Sequence, residues 1–405
     1  MVRDSKERPH SIMRIADFTA YHLRIPLRKT IRHASHTRRE NDTLVVRCRL
    51  DDGTVGWGEG LPRPYVTGET IETAWELLKT IDFQASFGET LSDRLNAAVR
   101  LCEQFSITIP PGDYRDCFGN SVRCAIELSI LDAVCRAEGI PLSTVTERFP
   151  PAAKISQSRP KVFYSAVLTS AGFLKEIIRA WKYRYYGFRQ LKVKVGVAGR
   201  EDVTTLRRAR KILGSECDLR IDANEAWSCE NLEEKLNPLL PFNISSIEQP
   251  VPHEQVHGLA EIRKRISVPI MHDESLCSLE DGRKAIELGT CDLFNIRLSK
   301  CGGFLNSLKL AVMAREAGLG YQLGCQVGET GILSAAGRHF ATSVSDIRYL
   351  EGSFDRFLVR ESLTEEDITF GRAGMAPALT KPGLGVTIRQ DAVDRTKVAE
   401  ANFPV

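Results

Sequence analysis

The chain has 405 residues, 42% of them hydrophobic and 26% charged, with a formal net charge of +3. This composition supports a large packed core and excludes a largely disordered chain, while the small net charge argues against general nucleic-acid binding. No run approaches the roughly 18 apolar residues of a membrane span, and eleven cysteines without a CxxC pair read as reduced thiols, so a cytoplasmic protein with no membrane or nucleic-acid partner is expected.

In chain order, the first dozen residues, MVRDSKERPHSI, are charged and lack the apolar centre of a signal peptide, so residues 1–13 are expected to form a disordered tail. Two alternating segments follow, ADFTAYHLRIPL (16–27) and TLVVRCRLDDGTVGWGEG (43–60), the second turning at DDG like a hairpin. Helical periodicity covers 69–82, 91–105 and 119–138; in the last, Val122, Ala125, Ile126, Leu128, Leu131 and Val134 sketch an apolar stripe. Strands followed by helices predict a separate α+β domain over 14–150.

Beyond it, short apolar strands alternate with helix-length segments: KVFYSAVL, RQLKVKV, DLRIDAN, ISSIEQP, PIMHDES, DLFNIRL, GYQLGCQ and DIRYLEG. Eight such units predict a closed (β/α)8 TIM-type barrel over 151–360. An open doubly wound sheet would want a Gly-rich phosphate loop after its first strand, and none is there. Residues 361–405, with the Gly- and Pro-rich GRAGMAPALTKPGLGVTIRQ, leave the barrel pattern and are expected to run back to the first domain.

Barrel enzymes keep their chemistry at the C-terminal ends of the strands. There the sequence places Lys192 and Lys194, then Asp222, Glu248, Asp273 and Lys300, at steps of 28, 26, 25 and 27 residues counted from Lys194. One charged group thus recurs at one height on five successive strands. Three carboxylates from neighbouring strands would hold a Mg²⁺ through hard oxygen atoms and leave positions open. The flanking lysines would face that ion from both sides. Such a site suits removal of a proton next to a carboxylate, because a divalent cation stabilises the second negative charge of the enediolate. Crowding, burial and the metal would lower a lysine's pKa enough for it to act as a base.

The motifs LKVKVG, DAN, EQP, DES and a lysine followed by CGG resemble those of the enolase superfamily, in its muconate-lactonizing-enzyme subgroup. The resemblance spans nearly the whole chain. It implies a barrel capped by the 14–150 domain, which the returning tail completes. It also implies one Mg²⁺ on Asp222, Glu248 and Asp273, Lys194 as the base on one face, Lys192 tuning it, and Lys300 serving the other face.

Taken singly, each carboxylate would serve as a helix N-cap, and the lysines as solvated or loop residues; their common register decides otherwise. Asn224 and Glu274 neighbour the ligands and are candidates to support them. HEQVH (253–257) matches a zinc pattern, but Pro250, Pro252 and Gly258 leave no room for the helix that pattern needs.

The basic segment LRKTIRHASHTRRE (27–40) would bring Arg32, His33, His36, Arg38 and Arg39 to an anionic substrate. PRPYVTGET (62–70), with Tyr65, resembles the family's second specificity loop, and Glu329 and Glu351 are further candidates to face the substrate. The family's dipeptide epimerases carry an aspartate pair on the eighth strand, where this chain has Tyr349, Leu350 and Glu351.

The expected function is a Mg²⁺-dependent isomerase of small carboxylates, muconate cycloisomerase-like, working as a homo-oligomer. Dipeptide epimerase, N-acyl amino acid racemase and o-succinylbenzoate synthase are the alternatives within the subgroup. A metal-retaining binder without catalysis is the alternative outside it.

Overall fold

The computed structural model describes residues 13–32, 37–169 and 172–405. The tail expected over 1–13 falls almost wholly outside the described residues, as do His33, His36 and the side chain of Arg32. The strands are β1 (Ile15–Arg32), β2 (Thr37–Leu50), β3 (Val55–Gly60), β4 (Lys161–Phe163), β5 (Ala166–Leu168), β6 (Gln190–Lys194) and β7 (Asp218–Asp222). They continue with β8 (Ile244–Glu248), β9 (Ile270–His272), β10 (Leu293–Ile296), β11 (Gly320–Leu323), β12 (Ile347–Leu350), β13 (Met375–Pro377) and β14 (Lys397–Pro404).

β5 to β12 form one parallel sheet in sequential order. Its two edges meet where the Ser165 N–H donates to the Leu350 carbonyl at 2.7 Å, so the sheet curls round on itself as a (β/α)8 barrel does. The single strand expected at KVFYSAVL is in fact two. Val167 pairs within the barrel, whereas Val162 belongs to β4 and pairs antiparallel with β13 from the returning segment.

The second layer is the antiparallel sheet β14–β1–β2–β3. Here β14 lies along β1 from Asp17 opposite Pro404 to Leu23 opposite Lys397. The hairpin turns at Asp51–Gly53, where Gly53 takes φ +87°. The helix Asn120–Ala137 lies directly on β3. Ser121, Ala125, Ser129 and Ala133, four residues apart, form its small-residue face, and a Cβ on Gly56, Gly58 or Gly60 would overlap their backbone.

Three buried glutamates of this layer point at helix N-termini, where unpaired N–H groups favour a carboxylate. Glu59 accepts from the Thr330 N–H (3.1 Å), the Thr330 hydroxyl (2.7 Å) and the Leu333 N–H (3.0 Å), at the start of the helix Gly331–Ser343. Glu127 accepts from the Leu305 N–H (3.0 Å) of the helix Phe304–Glu316, and Glu69 from the Ser121 hydroxyl (2.6 Å). Glu59 and Glu127 thereby pin the antiparallel layer to two barrel helices. Gly302 and Gly303 of the CGG motif leave room for Asn120 and Glu127 to approach.

Burial pushes the carboxyls of Glu59, Glu69 and Glu127 up to about 7 despite these donors. A carboxyl that holds its proton more tightly when folded favours the folded state below its unfolded pKa of about 4.5 and loses that contribution as pH rises through about 7. Glu59→Gln should therefore flatten the decline of stability between pH 5 and 7.5 by up to about 1.4 kcal/mol per pH unit. Denaturation curves across that range test this, and unchanged slopes would reject it.

Candidate active site

On β6 the side chains alternate. Leu191 and Val193 are fully buried against the helical layer, and Lys192 and Lys194 point into the barrel. The register then pairs Lys194 with Asp222 and Asp222 with Glu248, which sets the three at one level on β6, β7 and β8. Asp273 stands just past the end of β9.

Lys192 is 4% exposed and lies among carboxylates. Its ammonium donates to both oxygens of Glu248 at 3.2 Å and to Glu351 Oε2 at 3.0 Å, and lies 3.3 Å from Asp222 Oδ2. Burial alone would lower its pKa, but Glu248, Glu351 and Asp222 outweigh burial and hold it well above the ordinary lysine value. Lys194 is half-buried and donates to Asn224 Oδ1 at 2.6 Å. Asn224, at φ +42°, donates its backbone N–H to Asp222 Oδ1 (3.0 Å) and its amide to Glu274 Oε1 (3.3 Å), so it links base candidate and carboxylates.

Lys300 is fully buried beneath Asp273. Its ammonium donates to Asp273 Oδ1 (2.9 Å), the Asp273 carbonyl (2.7 Å) and the Asn295 carbonyl (2.8 Å), which uses all three of its protons. The more exposed cation after β10 is Arg297, which sequence reasoning passed over. Its guanidinium donates to Asp273 Oδ2 and lies 3.6 Å from Glu248 Oε1. Burial would raise Asp273, but Arg297, Lys300 and Lys192 outweigh it and bring its carboxyl down to about 2. Burial, reinforced by Asp222, Glu351 and Asp273 and opposed by Lys192, pushes Glu248 up to about 8.

Asp222, Glu248 and Asp273 thus offer only hard oxygen donors, at most 1% exposed, and the Glu274 Oε2 beside them is buried without a hydrogen-bond partner. That donor set suits a hard divalent cation. As they stand, Lys192 bridges Asp222 and Glu248, Arg297 bridges Glu248 and Asp273, and among the described residues no three acidic, histidine or cysteine side chains close to ligating distance.

The residues expected to face substrate divide. Glu351 is 5% exposed and held by Lys192 and by Arg220, a fully buried arginine of β7 stacked on Tyr349. Glu329 is half-buried just before the helix Gly331–Ser343, accepts the Gln326 N–H at 2.6 Å, and burial pushes its carboxyl up to about 8. Arg38 donates to the Val327 carbonyl (3.1 Å), so β2 reaches the loop after β11; Arg39 is exposed. Tyr65 packs beside Val66, Cys117 and Cys277.

Two arginines that sequence reasoning did not single out fasten this region. Arg63 is buried and donates to the Asp42 carbonyl (3.1 Å) and to Val327 (3.4 Å). Arg115 donates to the carbonyls of Val66 (2.7 Å) and Glu274 (2.9 Å). HEQVH forms a short 3-10 helix, and His253 is turned to Glu225 at 2.9 Å.

The family profile described as "Enolase C-terminal domain-like" matches residues 175–392, more than half of the chain. The chain is 28% identical to the N-succinyl-L-Arg/Lys racemase of Bacillus cereus over 95% of its own length and 98% of that protein. The crystal structure of that racemase matches with a TM-score of 0.83 over 96% of this chain and 99% of that one, at 26% identity. A dipeptide epimerase from Cytophaga hutchinsonii, complexed with Mg and the dipeptide D-Ala-L-Val, shares the fold at 24% identity and TM-score 0.80, over 96% and 100% of the two chains. So does a muconate lactonizing enzyme from Pseudomonas fluorescens at 23% identity and TM-score 0.81, over 95% and 99%. By its profile match and its strand-end lysines and carboxylates, the chain belongs to the enolase superfamily, in the subgroup of mandelate racemase and muconate lactonizing enzymes.

Proposed function

We propose that the protein is a Mg²⁺-dependent isomerase of the epimerase and racemase type that moves a proton at the carbon α to a substrate carboxylate. The observation that carries this reading is the common level of Lys194, Asp222 and Glu248 on three adjacent strands, with Asp273 on the fourth. Asp222, Glu248 and Asp273 would hold the metal. When bound, Mg²⁺ would offset the negative charge that gathers on the substrate carboxylate as its α-proton leaves.

Lys194 takes that proton, oriented by Asn224. Lys192 sets its positive charge against Glu248 and Asp222. The layer over 14–150, with the segment 361–405, acts as the cap over a catalytic unit of 151–360. Arg38, Arg63 and Tyr65 shape its floor.

The substrate is an amino-acid-derived carboxylate, as for the B. cereus racemase. Glu351 is committed to Lys192 and Arg220, which leaves no carboxylate at the end of β12 to receive a substrate ammonium. This favours N-acylated amino acids over dipeptides. The cycloisomerase alternative rests on likeness of fold.

The test is incubation with Mg²⁺ and N-succinyl amino acids, dipeptides or muconates in D₂O, read as α-deuteration by mass spectrometry. Exchange that requires Mg²⁺ and is lost with a chelator supports the reading. Exchange indifferent to the chelator, or none with any substrate, overturns it.

A further inference from the structure

In an eight-stranded ring, β10 stands four strands from β6 and so faces it across the mouth. The two flanks of the carboxylates are chemically unequal. On the β6 flank Lys194 is half-buried and held by a single neutral hydrogen bond to Asn224. On the β10 flank the lysine of the motif, Lys300, is 0% exposed and has each of its protons committed to Asp273 or Asn295. Arg297 is the more exposed of the two cations, its guanidinium on Asp273 and near Glu248.

A guanidinium keeps its proton at any pH the protein survives, so it holds negative charge but neither takes up nor returns a proton. We infer that side-chain proton transfer at the substrate α-carbon runs through Lys194 on one face, while Arg297 on the opposite face binds charge, Lys300 positions Asp273, and the proton that completes inversion arrives there from solvent and more slowly. This rests on the proposed function and narrows it.

In the step itself, the α C–H bond breaks, its proton goes to the neutral Lys194 amine, and the electron pair passes into the carboxylate. The proton returned, or a deuteron exchanged onto the same amine, goes back to the face it left. For the enantiomer whose α-hydrogen meets Lys194, exchange therefore outruns inversion. A positioned base or acid speeds proton transfer by about 10²–10⁴-fold, so the expected gap is about 10²-fold or more.

Both enantiomers of an exchanging N-succinyl amino acid are followed in D₂O with Mg²⁺, deuterium by mass spectrometry and configuration by polarimetry. One enantiomer exchanges far faster than it inverts. Arg297→Lys, which places an amine on that flank, narrows the gap by raising inversion relative to exchange. Lys300→Gln lowers the melting temperature and slows exchange and inversion in equal proportion, as loss of a positioning residue does.

Inversion that keeps pace with exchange in the native enzyme overturns the inference and leaves the proposed function standing. So does selective loss of inversion in Lys300→Gln, in Cys325→Ala or in Glu329→Gln, the last two being the proton-bearing groups at the end of β11. No exchange with any substrate overturns both readings.

Discussion

Lys194→Ala abolishes α-proton exchange and leaves the protein folded. The side chain is half-buried and makes one hydrogen bond, to Asn224, so its loss strands no buried charge. Removing a positioned base costs about 10²–10⁴-fold in rate. The neighbouring Lys192→Ala is expected to behave in the opposite way. It removes the shared cation of Glu248, Glu351 and Asp222, all at most 5% exposed, and breaking such a buried pair costs about 3–5 kcal/mol. Rates and thermal melts of the two variants, taken side by side, separate chemistry from structure. A Lys194→Ala protein that still exchanges at the native rate would end its assignment as the base.

A loss of stability of similar size is expected at Gly58→Ala. The added Cβ would overlap the Ala125 carbonyl oxygen, and both atoms belong to backbone, so no rotamer relieves the clash. The helix Asn120–Ala137 must lift off β3, which costs about 3 kcal/mol or more. Because that helix carries Asn120 and Glu127 to the loops after β9 and β10, the site loosens with it. Gly53→Ala is the control: φ is +87° there, but nothing lies within 4 Å, so only backbone strain of about 1–2 kcal/mol is expected. Urea denaturation of the pair checks the order, and equal midpoints would contradict it.

The spacing of Lys194, Asp222, Glu248 and Asp273 is legible in sequence because each βα unit brings one inward position to the same height, whatever fills the loops. The pairs that decide the far flank are less so. Arg297 and Lys300 lie three residues apart beyond β10, and only the path of the turn shows which side chain reaches the mouth. Glu351 sits at a strand end like the others, yet Arg220, three strands along the sheet's closed ring, draws it inward. Tertiary partners of this kind leave no periodicity. The same holds for Glu59 and Glu127, whose helix N-termini lie more than 170 residues away in the chain. The glycines of GWGEG alternate along β3, but their purpose needs the helix laid across them.

The pairing of β14 with β1 also bears on how the molecule is made. β1 leaves the ribosome before any of the barrel strands, yet one of its edges waits for residues 397–404. At the usual synthesis rate of about 5–20 residues per second, that wait lasts about 20–80 s. Throughout it, the outer side of β1 offers unpaired backbone groups to any passing strand, and the barrel strands emerge and collapse in the meantime. Completion of the antiparallel layer is thus a late event of biogenesis, and nascent chains stalled before residue 397 are the species most prone to cling to one another.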